Sequence, residues 1–346
     1  MNNLRLLYRG GGAGHVRPIA DLFHTPESAL RDENVMTPRH LAARGPARLF
    51  NADCGQVSPT SVMSENGETE LTFSAADGFR LAASHFHAET PAQALVLIAS
   101  ATAVPRQYYG KFARFLTECA LDVLTFDYRG IGGSRPASLR GFPARMRDWA
   151  LLDLKAAVDF AAERAGGKPL FFIGHSFGGQ ALGLLPNNEK VSRAVFVASQ
   201  IGYWRLFPFP ENYRIYAMLN WIGPLVAHSF GYVPGWLGLG VDLPKNVFLE
   251  WAGWCMRPDY LFDDETLNER KNFLNYRGAL RGIGMSDDKW APPIAVEKLL
   301  AHYTGTKAEH ITLRPGDIGQ RAVGHFGFFR ETGREKLWPL AAGWFS

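Results

Sequence analysis

Three cysteines, Cys54, Cys119 and Cys255, are spread over 346 residues with no C-x-x-C pair among them. So few and so widely spaced, they cannot build a disulfide framework or a cysteine metal knuckle, and such usage suits a reducing compartment, here the cytoplasm. An excess of one charge is missing too. Lys and Arg number 37 against 33 Asp and Glu, and no basic run could track a phosphate backbone, so nucleic acid is not an expected partner. Long uninterrupted apolar runs are also absent. The best candidate, residues 219–241, contains Pro224, His228, Pro234 and five glycines, which points to buried or lid helices rather than a membrane span. Residues 1–18 are broken by Gly10 to Gly12 and lack the apolar core of a signal peptide. With 47% hydrophobic and 13% aromatic residues the chain is neither disordered nor fibrous.

The first 62 residues hold seven Arg, no Lys and no sustained apolar period, and are expected to be a poorly ordered extension. The folded unit is expected from about Met63 to residue 346, with Met63 itself a candidate start. From Glu70 onward, strand and helix patterns alternate. Glu70 to Ser74 and Arg80 to His87 read as a hairpin about Asp77-Gly78. Strands follow at Ala94 to Ser100, Asp122 to Asp127, Pro169 to Gly174 and Arg193 to Ser199. Helical patterns at Tyr108 to Glu118, Trp149 to Ala165 and Gly178 to Leu185 separate them. Such alternation implies right-handed crossovers and an α/β fold, a mostly parallel sheet with helices on both faces and an antiparallel edge hairpin. An aromatic- and proline-rich insertion at about 200–275 interrupts the pattern. Strands return at Ala279 to Ser286 and His310 to Arg314, and a helix is expected over Arg330 to Phe345.

The run Leu170-Phe171-Phe172-Ile173-Gly174-His175-Ser176-Phe177-Gly178-Gly179 places G-x-S-x-G between a buried strand and a helix. A turn that tight needs small residues two positions either side of the serine, and it lifts the Ser176 hydroxyl clear of the sheet. The amide of Phe177, at the start of the helix, is placed to bind an oxyanion. A serine hydroxyl needs a base, and the base needs a group that fixes its tautomer. His325, after the last strand, is the candidate base. The acid belongs after the preceding strand, where Asp287 and Asp288 stand; Asp288 is preferred, Asp287 is the alternative acid, and the other is expected to cap the loop.

On these residues the chain resembles the α/β-hydrolase fold superfamily from about Glu70 to its end. Asp127-Tyr128-Arg129-Gly130-Ile131-Gly132-Gly133-Ser134 is similar to the D-x-R-G-x-G-x-S turn of many members. The runs Gly324-His325-Phe326-Gly327-Phe328-Phe329 and Ser286-Asp287-Asp288-Lys289-Trp290-Ala291-Pro292-Pro293 resemble a bacterial subgroup known mainly as predicted serine hydrolases. The resemblance implies a serine hydrolase, carboxylesterase- or lipase-like, with the insertion as a cap over the active site. One departure stands out. The loop after the third strand often begins His-Gly, but here it reads Ser100-Ala101-Thr102-Ala103-Val104, and Ala103 is expected to give the second oxyanion amide.

The aromatics of the insertion suggest an apolar pocket, and so a small apolar acyl substrate. Acyl transfer from the same acyl-enzyme, or a non-catalytic ligand-binding homologue, are the alternatives. Dehalogenase and epoxide-hydrolase chemistry is disfavoured, because those enzymes carry a carboxylate where Ser176 stands. No cofactor is implied. Gly130 to Gly133 lacks a dinucleotide fingerprint, and His85 and His87, on one strand face without a third ligand in sequence, are expected to be surface histidines rather than a metal site.

Overall fold

The computed structural model describes residues 67–345, together with the backbone of Val62 and Met63. The extension expected over residues 1–62 lies almost wholly outside the described residues.

Strands β1 (Glu68–Ser74) and β2 (Arg80–Phe86) form the expected hairpin, with Gly78 at φ +80° in its turn. Then follow β3 (Ala94–Ala99), α1 (Gly110–Glu118), β4 (Leu121–Phe126), α2 (Lys155–Ala165), β5 (Leu170–His175), α3 (Phe177–Leu184) and β6 (Val191–Val197). The insertion contributes α4 (Glu211–Ala217), α5 (Gly223–Phe230) and α6 (Lys245–Cys255). The chain then closes with β7 (Ala279–Met285), α7 (Pro293–Ala301), β8 (Glu309–Leu313) and α8 (Trp338–Ala342).

The sheet runs β1-β2-β4-β3-β5-β6-β7-β8, and the two-residue strand Val62–Met63 pairs antiparallel on the outer edge of β1. Pairings among β1, β2 and β4 are antiparallel; from β4 to β8 every pairing is parallel. Every residue of β3 and β5 is buried, as a strand sandwiched between two helical layers requires. A parallel sheet of this kind brings all its strand C-termini to one edge, where loops can converge on a site. Non-glycine residues with positive φ gather there: Ala103 after β3, Ser176 after β5 and Ala198 after β6.

The Asp127 to Ser134 turn locks the antiparallel edge to the parallel sheet. Asp127 is fully buried and accepts from the amides of Arg106 (2.7 Å) and Gly133 (2.9 Å) as well as from the Arg106 guanidinium. The Ser134 hydroxyl donates to the Asp127 carbonyl and accepts from the Ala82 amide of β2 at 2.8 Å. Burial raises the Asp127 carboxyl, and the Arg106 charge opposes that rise.

Two expectations are corrected here. The terminal helix over Arg330 to Phe345 is broken into a turn at Glu331–Gly333 and the five-residue α8. Pro339, lacking an amide hydrogen, is tolerated only in the first turn of α8 and cannot sit inside a longer helix. His85 is no surface residue: only 6% of it is exposed, because β1 and β4 flank it on both sides. The interrupted apolar stretch at 219–241 forms helix and loop, and among the described residues no helix is long and apolar enough to cross a membrane.

Candidate active site

Ser176 occupies the bend between β5 and α3 with φ 50° and ψ −113°, a conformation costing a non-glycine residue about 1–3 kcal/mol. The strain is held by the neighbours: the Ser176 amide donates to the Val197 carbonyl at 2.9 Å, and the Gly179 amide donates to the Ser176 carbonyl at 3.2 Å. The flanking glycines are compulsory. A Cβ on Gly174 would lie 2.4 Å from the Gly179 nitrogen, and one on Gly178 would lie 2.3 Å from the Ala99 carbonyl oxygen. Phe177 opens α3, so its amide has no partner within the helix. The Phe177 ring is buried against Tyr128 and Trp149, each about 6.0 Å away.

His325 lies in the loop beyond β8, and its Nδ1 donates to Asp288 Oδ2 at 2.8 Å. The Asp288 side chain is fully buried and that of His325 only 10% exposed, so solvent screens the pair little. The other Asp288 oxygen accepts from the amides of Trp290 (2.8 Å) and Ala291 (2.9 Å), which fix the carboxylate's orientation. Asp287 points elsewhere. Its oxygens accept from the amides of Val323 (2.8 Å) and Gly324 (3.1 Å), so it shapes the loop that presents His325 without touching the imidazole.

Sequence reasoning missed a second set of groups around the same loop. The His175 Nε2 bonds the His325 carbonyl at 3.0 Å; a carbonyl can only accept, so this nitrogen carries the proton. The His175 Nδ1 is then an acceptor, and the Tyr109 hydroxyl donates to it at 2.8 Å. That hydroxyl in turn accepts from the Ala101 amide at 3.0 Å. Burial, and then the neighbouring His325, push His175 well below the usual histidine range and keep it neutral. Tyr108 adds a further tether, its hydroxyl donating to the Phe326 carbonyl at 2.6 Å. The serine bend, the loop after β3 and the His325 loop are thus joined through hydrogen-bonded groups that are buried or half-buried. A signal existed for His175, which is the variable residue inside the G-x-S-x-G run; Tyr108 and Tyr109 looked like ordinary core positions.

Ser176 and His325 wall one cavity with Ala101, Thr102, Gln180, Gln200, Gly238, Leu239, Trp251, Trp290 and Phe326. Thr102 faces this space. Ala103, expected to give the second oxyanion amide, is fully buried one residue further on, its carbonyl accepting from the Val241 amide. The roof comes from the insertion: Leu239 and Trp251 belong to it, and Trp251 lies parallel to Trp290 at 6.4 Å. The other insertion tryptophans serve differently, with Trp254 in the core, Trp204 half-buried against it, and Trp221 and Trp236 on the outer surface. Gln180 and Gln200 give the cavity a polar side; the Gln180 amide donates to the Gln200 carbonyl and accepts from the Tyr260 hydroxyl. The insertion is anchored to the sheet domain where Arg147 meets Glu250 of α6 and Asp264. A roomier hollow of about 380 Å³ beside Phe262, Lys271 and His302 has no comparable nucleophile and base among the described residues that line it.

The sequence over residues 87–234 matches the family described as serine aminopeptidase, S33. No curated protein matches the sequence. Among solved structures, a soluble variant of monoglyceride lipase from Saccharomyces cerevisiae, in complex with a substrate analogue, superposes with a TM-score of 0.57 at 16% identity, covering 78% of this chain and 92% of its own. An esterase from Exiguobacterium antarcticum gives 0.53 at 15% identity, with coverage of 80% and 99%. The esterase domain of a Rhodothermus marinus protein gives 0.51 at 18% identity, with coverage of 80% and 97%. With this strand order, the strained bend after β5 and the likeness to these solved structures, the chain has the α/β-hydrolase fold.

Proposed function

We propose that the protein is a serine hydrolase, carboxylesterase- or lipase-like, that cleaves an ester, thioester or related acyl bond of an apolar small molecule. The observation that carries this reading is the 2.8 Å hydrogen bond from His325 Nδ1 to buried Asp288, in a cavity that His325 shares with the strained Ser176. Ser176 Oγ attacks the acyl carbonyl, and His325 Nε2 takes its proton and returns it to the leaving group. Asp288 holds the imidazole in the tautomer that leaves Nε2 free to accept and stabilises the imidazolium that forms. The Phe177 amide and an amide of the 101–103 loop, where Ala101 and Thr102 both reach the cavity wall and the Ala101 amide already donates to Tyr109, receive the oxyanion. Water, deprotonated through His325, then releases the acyl group.

An acyl ester fits better than a peptide N-terminus. An aminopeptidase must pair its substrate's α-ammonium with a carboxylate, and among the described residues no carboxylate walls the cavity, whereas Trp251, Trp290, Leu239 and Phe326 suit an acyl chain. The cavity is narrow, about 40 Å³, and movement of the insertion would widen it for a longer acyl chain. A screen of p-nitrophenyl esters of graded chain length tests the proposal against an aminoacyl p-nitroanilide series. Turnover of the esters supports it. Turnover confined to the anilides would refute it, and ester product diverted to an added alcohol would make the protein an acyltransferase.

A further inference from the structure

At the opposite edge of the sheet from Ser176, the end of β2 meets the start of β4. His85 and His87 project from one face of the same strand, two residues apart, and the antiparallel register sets Phe86 against Val123, which brings Asp122 opposite His87. One potential ligand atom from each of His85, His87 and Asp122 lies within 4.8 Å of the others. The third ligand was invisible in the sequence because it comes from a different strand, well further along the chain. We propose that His85, His87 and Asp122 form a binding site for a zinc-class divalent cation that staples the edge hairpin to the parallel sheet.

An independent observation points the same way. His85 is only 6% exposed, yet among the described residues neither ring nitrogen has a hydrogen-bond partner, a state that native interiors rarely leave unexplained. Either ring nitrogen, when unprotonated, presents the lone pair by which imidazole binds metal. The two imidazoles pack with ring centres 4.0 Å apart and planes tilted by 42°. The surrounding groups complete the arrangement. Thr69 Oγ1 lies 3.1 Å from His87 Nε2, where it can take that nitrogen's proton and leave Nδ1 free to ligate. One Asp122 oxygen accepts from the Ala88 amide at 3.0 Å, which orients the carboxylate while its second oxygen stays available.

Two nitrogens and one oxygen with a fourth position open to water suit Zn²⁺, and also Co²⁺, Ni²⁺ or Cu²⁺; they do not suit Mg²⁺ or Ca²⁺, which need more oxygen ligands. With ligand bonds near 2.0–2.1 Å, tetrahedral coordination requires ligand atoms about 3.3 Å apart, within reach of small rotations of the exposed His87 and the half-buried Asp122. The bound ion would join β2 to β4 at the base of the sheet, a strand's length of about 15–20 Å from the serine bend, and so act on stability rather than on turnover.

The test is calorimetric titration of ZnCl₂ into the metal-stripped, tag-free full-length protein, alongside His87→Ala and Asp122→Asn. Both variants alter positions outside the buried core, and the carboxamide introduced by Asp122→Asn would keep an oxygen for the Ala88 amide. The expected result is one Zn²⁺ per chain, binding weakened at least tenfold in each variant, a melting temperature raised by about 5 °C at saturating zinc in the wild type only, and equal ester turnover in all three. Binding of equal strength in both variants would assign the zinc to other residues and overturn the proposal. So would loss in only one variant, or no stoichiometric binding at about 100 µM zinc.

Discussion

Replacing Tyr109 by Phe removes one oxygen atom and nothing else, yet that oxygen is where the loop after β3 is joined to the serine bend. In the wild type the hydroxyl accepts from the Ala101 amide and donates to His175 Nδ1, all three residues being buried. The variant leaves an amide hydrogen and an imidazole nitrogen unpaired in an interior shielded from solvent. At about 1–3 kcal/mol for each orphaned group, with partial relaxation, the expected loss is about 2–4 kcal/mol of stability, or a melting temperature lower by roughly 5–10 °C. The kinetic consequence is more diagnostic. Ala101 begins the loop that supplies the oxyanion amide, and removing one oxyanion donor outright costs about 100- to 1000-fold in kcat, so loosening its support should cost roughly 10- to 100-fold. KM should change less than about threefold, because the loop meets the developing charge rather than the acyl chain. The assay is steady-state hydrolysis of the best p-nitrophenyl ester well below the variant's melting temperature. A variant with wild-type kcat, or one whose whole loss lies in KM, would refute the idea that this chain of groups positions the machinery.

Three further outcomes follow from the same geometry. Asp288→Asn replaces the acceptor of His325 Nδ1 and should lower kcat about 10⁴-fold, whereas Asp287→Asn, which loosens only the Val323 and Gly324 amides, should cost less than about tenfold; the reverse ranking in kcat measurements would exchange their roles. Asp127→Ala takes the buried carboxylate from the Arg106 guanidinium, which keeps only the exposed Glu70 and the Ser84 hydroxyl, and should cost about 3–5 kcal/mol by urea denaturation; a loss below about 1 kcal/mol would show that the turn is not a staple. Stability should also fall as acid is added. His85 and His175 are held neutral in the fold, while an unfolded chain protonates its histidines near 6.5, so the unfolded state binds more protons below that pH. The stabilisation is complete above about pH 6.5 and is lost progressively towards pH 4, with His85 alone accounting for about 3 kcal/mol. His85→Leu, melted in EDTA, should show a flatter profile below pH 6.5, and an unchanged slope would contradict the assignment.

The fold was largely legible because its strands are short apolar runs punctuated by helices, a pattern with few alternative topologies. The serine bend was legible because steric crowding leaves a local signature: nothing larger than hydrogen fits at Gly174 or Gly178. The pairing of His325 with Asp288 depended on chain order alone, and choosing between adjacent aspartates required knowing which side chain turned inward. What stayed hidden shares one property. The hydroxyl of Tyr109, the carbonyl of His325 reached by His175, and Asp122 beside His85 and His87 are brought together across separations of dozens to more than a hundred residues, and nothing in the local pattern of either partner announces the other. The broken C-terminal helix is a different failure, in which an apolar period outweighed Gly333 and Pro339.

The central claim is that Ser176 is an activated nucleophile, and mass spectrometry of the intact protein after exposure to a fluorophosphonate tests it most directly. The account predicts one phosphonyl adduct per chain, located on Ser176, absent in Ser176→Ala and formed far more slowly in His325→Ala. A stoichiometric adduct on any other residue, or one that persists in Ser176→Ala, would contradict it.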